Sequence, residues 1–139
     1  MSIKSLKNRN RALWTAQILV ALLFLFAGSM KFILPVDKMQ QGPIVLPLAF
    51  IHFIGICEML GAIGLILPGL TRIRTSLTPL AAVGLTIIML GATTISILGM
   101  GVVAGIFPAV VGAITTWIAY GRARVVPIAT APRRALQVA

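Results

Sequence analysis

The sequence predicts an all-α integral membrane protein: an antiparallel four-helix bundle whose N- and C-termini both face the cytoplasm. Three observations support this prediction. Four apolar segments each have about the 20 residues that a helix needs to cross a bilayer. Charged residues make up only 10% of the 139 residues, against roughly 25% in soluble domains. The number of positive charges also alternates from one connection to the next.

The apolar segments divide the chain into a membrane domain and two tails. We expect residues 1–12 to form a basic cytoplasmic tail and residues 13–120 to form the four-helix domain. Residues 121–139 are expected to be a basic, disordered cytoplasmic tail, because Pro127 and Pro132 oppose helix formation. The four predicted spans are about 13–34, 48–68, 77–98 and 102–120.

A cleaved signal peptide is the alternative for the first segment. It has a basic start, an apolar stretch and the small residues Ala27, Gly28 and Ser29. The apolar stretch is longer than the ~7–15 residues of a signal peptide. The length therefore favours a membrane span.

The distribution of Lys and Arg predicts the orientation. Four lie in residues 1–12, one in the first loop beside Asp37, two in the second loop, none in the third and four in residues 121–139. Both termini in the cytoplasm satisfy every connection. Trp14, Trp117 and Tyr120 then mark the same membrane interface.

The net charge of +10 indicates a lipid partner. The charges lie in tails and short loops, which suits anionic headgroups. There is no basic domain interleaved with aromatic residues, so we expect no nucleic acid to bind. Small residues at helical spacing on the third and fourth segments favour helix packing, or a homo-oligomer or protein partner.

Glu58 is one of two acidic residues in the chain and lies in the middle of the second span. A charged carboxylate at mid-membrane costs about 2.5–3.5 kcal/mol on insertion scales, so it needs a partner, a cavity or a proton. Residues at its helical spacing include Gly55 and Gly61, which predicts that its face packs on a neighbouring helix. Two interpretations are consistent with this pattern. Glu58 either forms a structural hydrogen bond to another helix, or it belongs to a site that binds a proton or a ligand.

Lys31 is the second candidate site residue. It lies near the outer end of the first span, where a lysine can extend to the headgroups. The alternative is that it turns inward to Glu58, which would pair two costly charges.

Ser29 and His52 complete the candidate ligand-binding or proton-active set. His52 lies near the outer end of its span, where it is either an interfacial residue or a titrating group. With one His, one Cys and two separated acids, no metal site and no catalytic constellation can be drawn. We expect no catalytic activity from the chain alone.

Three motifs resemble those of the DoxX-like family of small bacterial membrane proteins. The first runs from Leu23 to Phe32 and is similar to that family's F-x-x-A-G-x-x-K. The second, Gly55 to Gly61, is similar to its G-x-x-E-x-L-G. The third is Pro79 to Leu85, followed by Met89 and Ala92.

The resemblance implies a four-helix bundle in the bacterial cytoplasmic (inner) membrane, with Lys31 and Glu58 paired as its signature polar residues. It also implies a link to redox chemistry. Family relatives include a subunit associated with thiosulfate oxidation, with quinone as acceptor, and proteins tied to thiol stress. Many members carry a histidine late in the third helix. Here Thr94, Ile95 and Ser96 occupy that region, which disfavours a histidine-dependent redox role.

Three functions follow as hypotheses. The first is a membrane subunit of a redox system that binds a quinone or another small lipophilic ligand beside Lys31 and Glu58. The second is a small proton-coupled transporter that uses Glu58. The third is a structural anchor that docks a protein partner through its basic tails.

Overall fold

The computed structural model describes residues 2–40 and 42–131, which contain helices and no strand. The helices are α1 (Ile3–Ile33), α2 (Val36–Met39), α3 (Leu48–Thr71), α4 (Leu77–Met100) and α5 (Val102–Tyr120), followed by a π-helical turn, Gly121–Val125. Within the described residues, four helices are long and apolar enough to cross a membrane: α1, α3, α4, and α5 continued by the π-helical turn. The predicted all-α, four-helix architecture is confirmed, and its orientation stays a prediction.

The four long helices form a ring of neighbours. α1 packs on α3, α3 on α4 and α4 on α5, and α5 contacts α1 to close the ring. Residues 72–76 connect α3 to α4, while Gly101 alone connects α4 to α5. Gly101 has a φ of 94°, a left-handed conformation that glycine adopts without a steric penalty. Such short connections make consecutive helices antiparallel.

The bundle has apolar side chains both inside and outside. Its centre contains Leu13, Phe24, Leu65, Leu85 and Ile118, which are at most 2% exposed. Its outer surface is equally apolar. Leu19, Phe26, Leu60, Leu98 and Val103 are between 62% and 82% exposed. An apolar surface of this kind requires lipid as its solvent.

The two ends of the bundle differ in charge. We call one the basic end; it carries the start of α1, the α3–α4 turn and residues 121–131. The other is the loop end, which carries the Gly101 turn and residues 35–40 and 42–47, named here the cap segment. Six cationic residues lie at the basic end, in the first turns of α1 and in the α3–α4 turn: Lys4, Lys7, Arg9, Arg11, Arg72 and Arg74. The loop end has Lys38 beside Asp37.

Helix α1 begins at Ile3, inside the segment that the sequence assigns to a tail. The Ser2 hydroxyl caps it by accepting a hydrogen bond of 3.3 Å from the backbone N–H of Ser5. A serine at this position satisfies one of the N–H groups that the first helical turn leaves unpaired. The helix therefore extends its basic face beyond the apolar span.

Residues 121–131 fold back onto the basic end. The backbone N–H of Ala131 donates to the Arg72 carbonyl at 3.0 Å, and the hydroxyls of Thr75 and Thr130 are 3.0 Å apart. Thr130 and Ala131, in the tail predicted to be disordered, are thus hydrogen-bonded to the α3–α4 turn. Residues 132–139, with Pro132, lie outside the described residues.

Candidate functional site

Two glycines bring α1 and α3 into backbone contact. A Cβ added to Gly28 would lie 2.8 Å from the Gly55 carbonyl oxygen, and one added to Gly55 would lie 3.1 Å from the Gly28 carbonyl oxygen. The first distance is too short for any side chain, and the second is tighter than ordinary contact. Glycine at both positions allows the close approach that small residues provide between membrane helices.

Lys31 and Glu58 each follow one of these glycines by three residues. In a helix, side chains tilt toward the N-terminus of their own helix. Because α1 and α3 are antiparallel, Lys31 leans toward the basic end and Glu58 toward the loop end, so the two side chains converge. The Lys31 Nζ lies 2.6 Å from the Glu58 Oε2. The Lys31 Nζ also donates to the Ala27 carbonyl, one turn back along α1, at 3.5 Å. Because its ion-pair partner Glu58 is buried, Lys31 points inward and does not extend to the headgroups.

Burial differs between the two partners. The Glu58 side chain is 4% exposed and the Lys31 side chain 26%. The helical face that buries Glu58 also buries Ile51, Gly55, Ala62 and Leu65, as the spacing predicts. The ammonium of Lys31 is the only positive group paired with this carboxylate among the described residues. The pair offsets the cost of placing either charge in the hydrocarbon region.

A cavity of about 690 Å³ borders the ion pair. It lies between α1, α3 and α4, and both Lys31 and Glu58 line it. The rest of its wall is largely apolar and includes Met30, Phe53, Ile54, Ile88 and Ile95. Ligand-binding cavities are typically about 300–1,000 Å³, with mostly apolar walls and a few polar groups. This cavity has those properties.

Small residues on α4 create the space. On the basic-end side of Glu58, α3 and α4 are in tight contact, because a Cβ on Gly61 would lie 2.6 Å from Leu85 and one on Gly64 would lie 2.8 Å from the Ala81 Cβ. Toward the loop end, the cavity separates the helices. A Cβ on Gly91 would meet no atom within 4 Å. Gly91 and its neighbour Ala92 both line the cavity.

The cap segment covers the loop end of the cavity. Met39, Gln40, Gly42, Ile44 and Leu46 all contribute to the wall. The side chain of Gln40 holds the segment in shape. Its Nε2 donates to the Leu46 carbonyl at 2.9 Å, and its Oε1 accepts from the Leu46 N–H at 2.6 Å.

Ser29 and His52 lie apart from the cavity wall. The Ser29 hydroxyl donates to the Leu25 carbonyl of its own helix at 2.6 Å and is 3.8 Å from the Met59 sulfur. His52 stacks on Phe32, with ring centroids 4.7 Å apart and ring planes at 14°. Neither residue lines the cavity. Of the four candidate residues, the structure brings Lys31 and Glu58 together and places Ser29 and His52 elsewhere in the α1–α3 contact.

A second polar cluster, which the sequence reasoning missed, lies near the basic end. Arg122 is 3% exposed and Gln17 is 0% exposed. The Arg122 Nε donates to the Gln17 Oε1 at 2.6 Å, and its Nη1 donates to the Asn10 Oδ1 at 2.7 Å and to the Val126 carbonyl at 3.2 Å. The Gln17 amide in turn donates to the Leu65 carbonyl at 2.6 Å. A glutamine inside an apolar span was the available signal, since buried polar groups require partners.

The chemistry available at the cavity is hydrogen bonding and proton exchange. Lys31 supplies up to three N–H donors and Glu58 supplies acceptor oxygens. The described residues contain no group of three or more His, Cys, Asp or Glu side chains that could hold a metal ion. The arrangement suits a mainly apolar molecule that has a carbonyl or hydroxyl group at one end.

A model of the DoxX-like family matches residues 15–132. This range covers all four membrane-spanning helices apart from the first turns of α1. No curated protein and no solved structure matches the chain.

Proposed function

The chain belongs to the DoxX-like family of membrane proteins, and from this premise we propose that it binds a small lipophilic, quinone-like ligand between α1, α3 and α4. In this proposal it is a multi-pass subunit of a redox system in the bacterial cytoplasmic membrane. The observation that carries the proposal is the contact between the cavity and the Lys31–Glu58 pair. A cavity of about 690 Å³ with an ion pair on its wall suits a ring with polar substituents.

Each part of such a ligand has a counterpart in the cavity. The ammonium of Lys31, which is more exposed than the Glu58 carboxylate, would donate to a carbonyl oxygen of the ligand. Glu58 would orient Lys31 and accept a hydrogen bond from a ligand hydroxyl. The apolar wall, including Ile54 and Ile88, would contact the ring. Electrons for a redox reaction would come from a partner protein.

Binding of a short-chain ubiquinone to the purified full chain in neutral detergent tests the proposal. Gly91→Leu places a side chain in the cavity without a clash, because the space at its Cβ is open. We expect it to weaken binding by roughly tenfold or more. Gly84→Leu is the matched control, since Gly84 lies on the same helix with equally open space and does not line the cavity.

The polar contact is tested by Glu58→Gln, with Asp37→Asn as its control. Both changes convert a carboxylate to an amide, and only Glu58 lines the cavity. We expect Glu58→Gln to weaken ubiquinone binding by about five- to tenfold, while Asp37→Asn changes it little. Equal affinities for all four variants and the unmodified chain would reject the site.

The transport hypothesis requires Glu58 to exchange a proton with water. In the structure its carboxylate is ion-paired with Lys31 at 2.6 Å, so a transport cycle would have to break this pair. Proteoliposomes that hold a proton gradient distinguish the two functions. Substrate efflux that depends on the gradient and is lost in Glu58→Gln would support transport instead of redox-linked binding.

The anchor hypothesis requires a tail that reaches a partner. Thr130 and Ala131 are hydrogen-bonded to the α3–α4 turn instead, which favours a structural role for this part of the tail. Residues 132–139 remain the part to test. If their deletion alone abolished recruitment of a partner protein and ubiquinone did not bind, the anchor function would replace the proposed one.

A further inference from the structure

A second cavity, of about 400 Å³, lies at the basic end, far from the Lys31–Glu58 pair. We call it the basic-end cavity. It is formed by the first turns of α1, the end of α3 and residues 126–129. Its polar residues include Lys7, Asn10 and Arg72, and its apolar residues include Ile3, Leu6 and Ile128. The wall therefore combines positive charge with an apolar surface.

Arg122 lies directly behind this wall. Its hydrogen-bond partners Asn10 and Val126 line the cavity, and so does Trp14, whose ring centroid is 5.2 Å from the Arg122 guanidinium carbon. Trp14 and the apolar end of Ile128 also enclose Gly69, where a Cβ would lie 2.7 Å and 2.9 Å from them. The guanidinium is thus enclosed by residues that form the cavity.

The charge of Arg122 is not balanced within the described part of the chain. All of its hydrogen-bond acceptors are neutral, and its buried Nη2 has no hydrogen-bond partner there. The two acidic residues lie elsewhere, with Asp37 on α2 and Glu58 paired with Lys31. A buried cation without a counter-ion is unfavourable. An anion in the basic-end cavity would offset it.

We propose that the basic-end cavity binds the phosphate group of an anionic phospholipid. The guanidinium of Arg72 suits a phosphate because its planar N–H groups match two phosphate oxygens. Lys7 adds a second charge, and Arg122 adds positive potential from behind. Ile3, Leu6 and Ile128 would contact the glycerol and the start of the acyl chains.

The position in the fold favours a lipid as the carrier of the phosphate. The cavity lies where the apolar parts of α1 and α3 end, and the headgroups of a bilayer begin at that level.

The test is lipid retention by the full chain in neutral detergent, measured by native mass spectrometry. The probes are phosphatidylglycerol, phosphatidylcholine and inorganic phosphate. The test variant is Lys7→Gln with Arg72→Gln, and the matched control is Lys4→Gln with Arg74→Gln. Both variants remove two exposed positive charges from the same end. Arg74, like Arg72, has a positive φ, and neither Lys4 nor Arg74 lines the cavity.

We expect one phosphatidylglycerol to bind more tightly than phosphatidylcholine. The test variant should bind it roughly tenfold more weakly, and the control should change by less than about threefold. If inorganic phosphate binds with the same dependence on Lys7 and Arg72 and phosphatidylglycerol does not, the site takes a free phosphate. Equal losses in both variants, or equal binding of the two lipids, would overturn the proposal. Neither outcome bears on ubiquinone binding at the loop end.

Discussion

Gly28 and Gly55 face each other so closely that the carbonyl oxygen of each occupies space that a Cβ of the other would need. This contact explains the spacing of two sequence motifs. Lys31 and Glu58 follow the glycines by three residues, and their side chains tilt back across the contact to form the ion pair of 2.6 Å. The glycines therefore determine where the two charges meet.

Replacing Gly28 with alanine tests this role. We expect Gly28→Ala to destabilise the protein by about 1–3 kcal/mol, because the new methyl group forces α1 and α3 apart. Gly84→Ala is the control, since no atom lies within 4 Å of its Cβ position. It should be neutral or slightly stabilising, because alanine favours helix more than glycine does. Thermal unfolding in neutral detergent measures both, and equal stability of the two variants would contradict the prediction.

The coupling between Lys31 and Glu58 can be measured with a double-mutant cycle. Lys31→Met leaves the buried carboxylate without its cation, and Glu58→Gln leaves the amine without its anion. We expect the double variant to be more stable than the sum of the single effects implies, by about 1–3 kcal/mol. The same cycle on the neighbouring charges Asp37 and Lys38 should give a coupling within about 0.5 kcal/mol. Additive effects at Lys31 and Glu58 would mean that the pair contributes no coupling.

Arg122 links the segment that follows α5 to α1 through its hydrogen bonds to Gln17 and Asn10. We expect Arg122→Gln to destabilise the protein by about 1–3 kcal/mol, because Gln17 and Asn10 lose buried hydrogen-bond donors. Hydrogen exchange should also rise at the backbone N–H groups of Val126 and Ala131, which are hydrogen-bonded to Gly121 and Arg72. Arg124→Gln removes an equal charge from an exposed side chain and should change stability by at most about 0.5 kcal/mol. Similar exchange rates in the two variants would contradict the role of Arg122 in holding this segment against α1.

The orientation in the membrane is tested by single-cysteine labelling in intact cells. With Cys57 replaced by alanine, a cysteine at Asp37 reports on the loop end and one at Arg74 on the basic end. The charge distribution predicts that a membrane-impermeant maleimide labels position 37 directly and position 74 only after the cells are permeabilised. The opposite pattern would place both termini outside.

Lys31 and Glu58, the polar residues of the larger cavity, could be predicted from sequence because charged residues are rare in apolar spans. Glu58 and Lys31 are charged residues in apolar segments, and each has a glycine three residues before it. The direction of Lys31 was not determined by sequence alone, since a lysine near a helix end can also extend to the headgroups. The close contact of α1 and α3 decides between these two directions.

Other features depend on contacts that a linear pattern does not contain. Arg122 is separated from Gln17 by 105 residues, so its charge was assigned to the tail. The start of α1 at Ile3 was hidden because the charged residues of its first turns show no apolar signal. The cavity results from a difference in volume between the two ends of the α3–α4 contact, where Gly61 and Leu85 are in close contact and Gly91 faces open space.

The same difference determines where the bundle has room for a ligand. On the basic-end side of Glu58, Gly61 and Leu85 are in close contact, and the Ala131 N–H donates to the Arg72 carbonyl of the α3–α4 turn. At the loop end, the Phe32–His52 stack and the cap segment join α1 to the start of α3, and the cavity separates α3 from α4. The free volume of the α3–α4 contact is therefore confined to the loop-end side of Gly61. A ligand held there would contact the loop-end halves of both helices and leave the Gly61–Leu85 contact undisturbed.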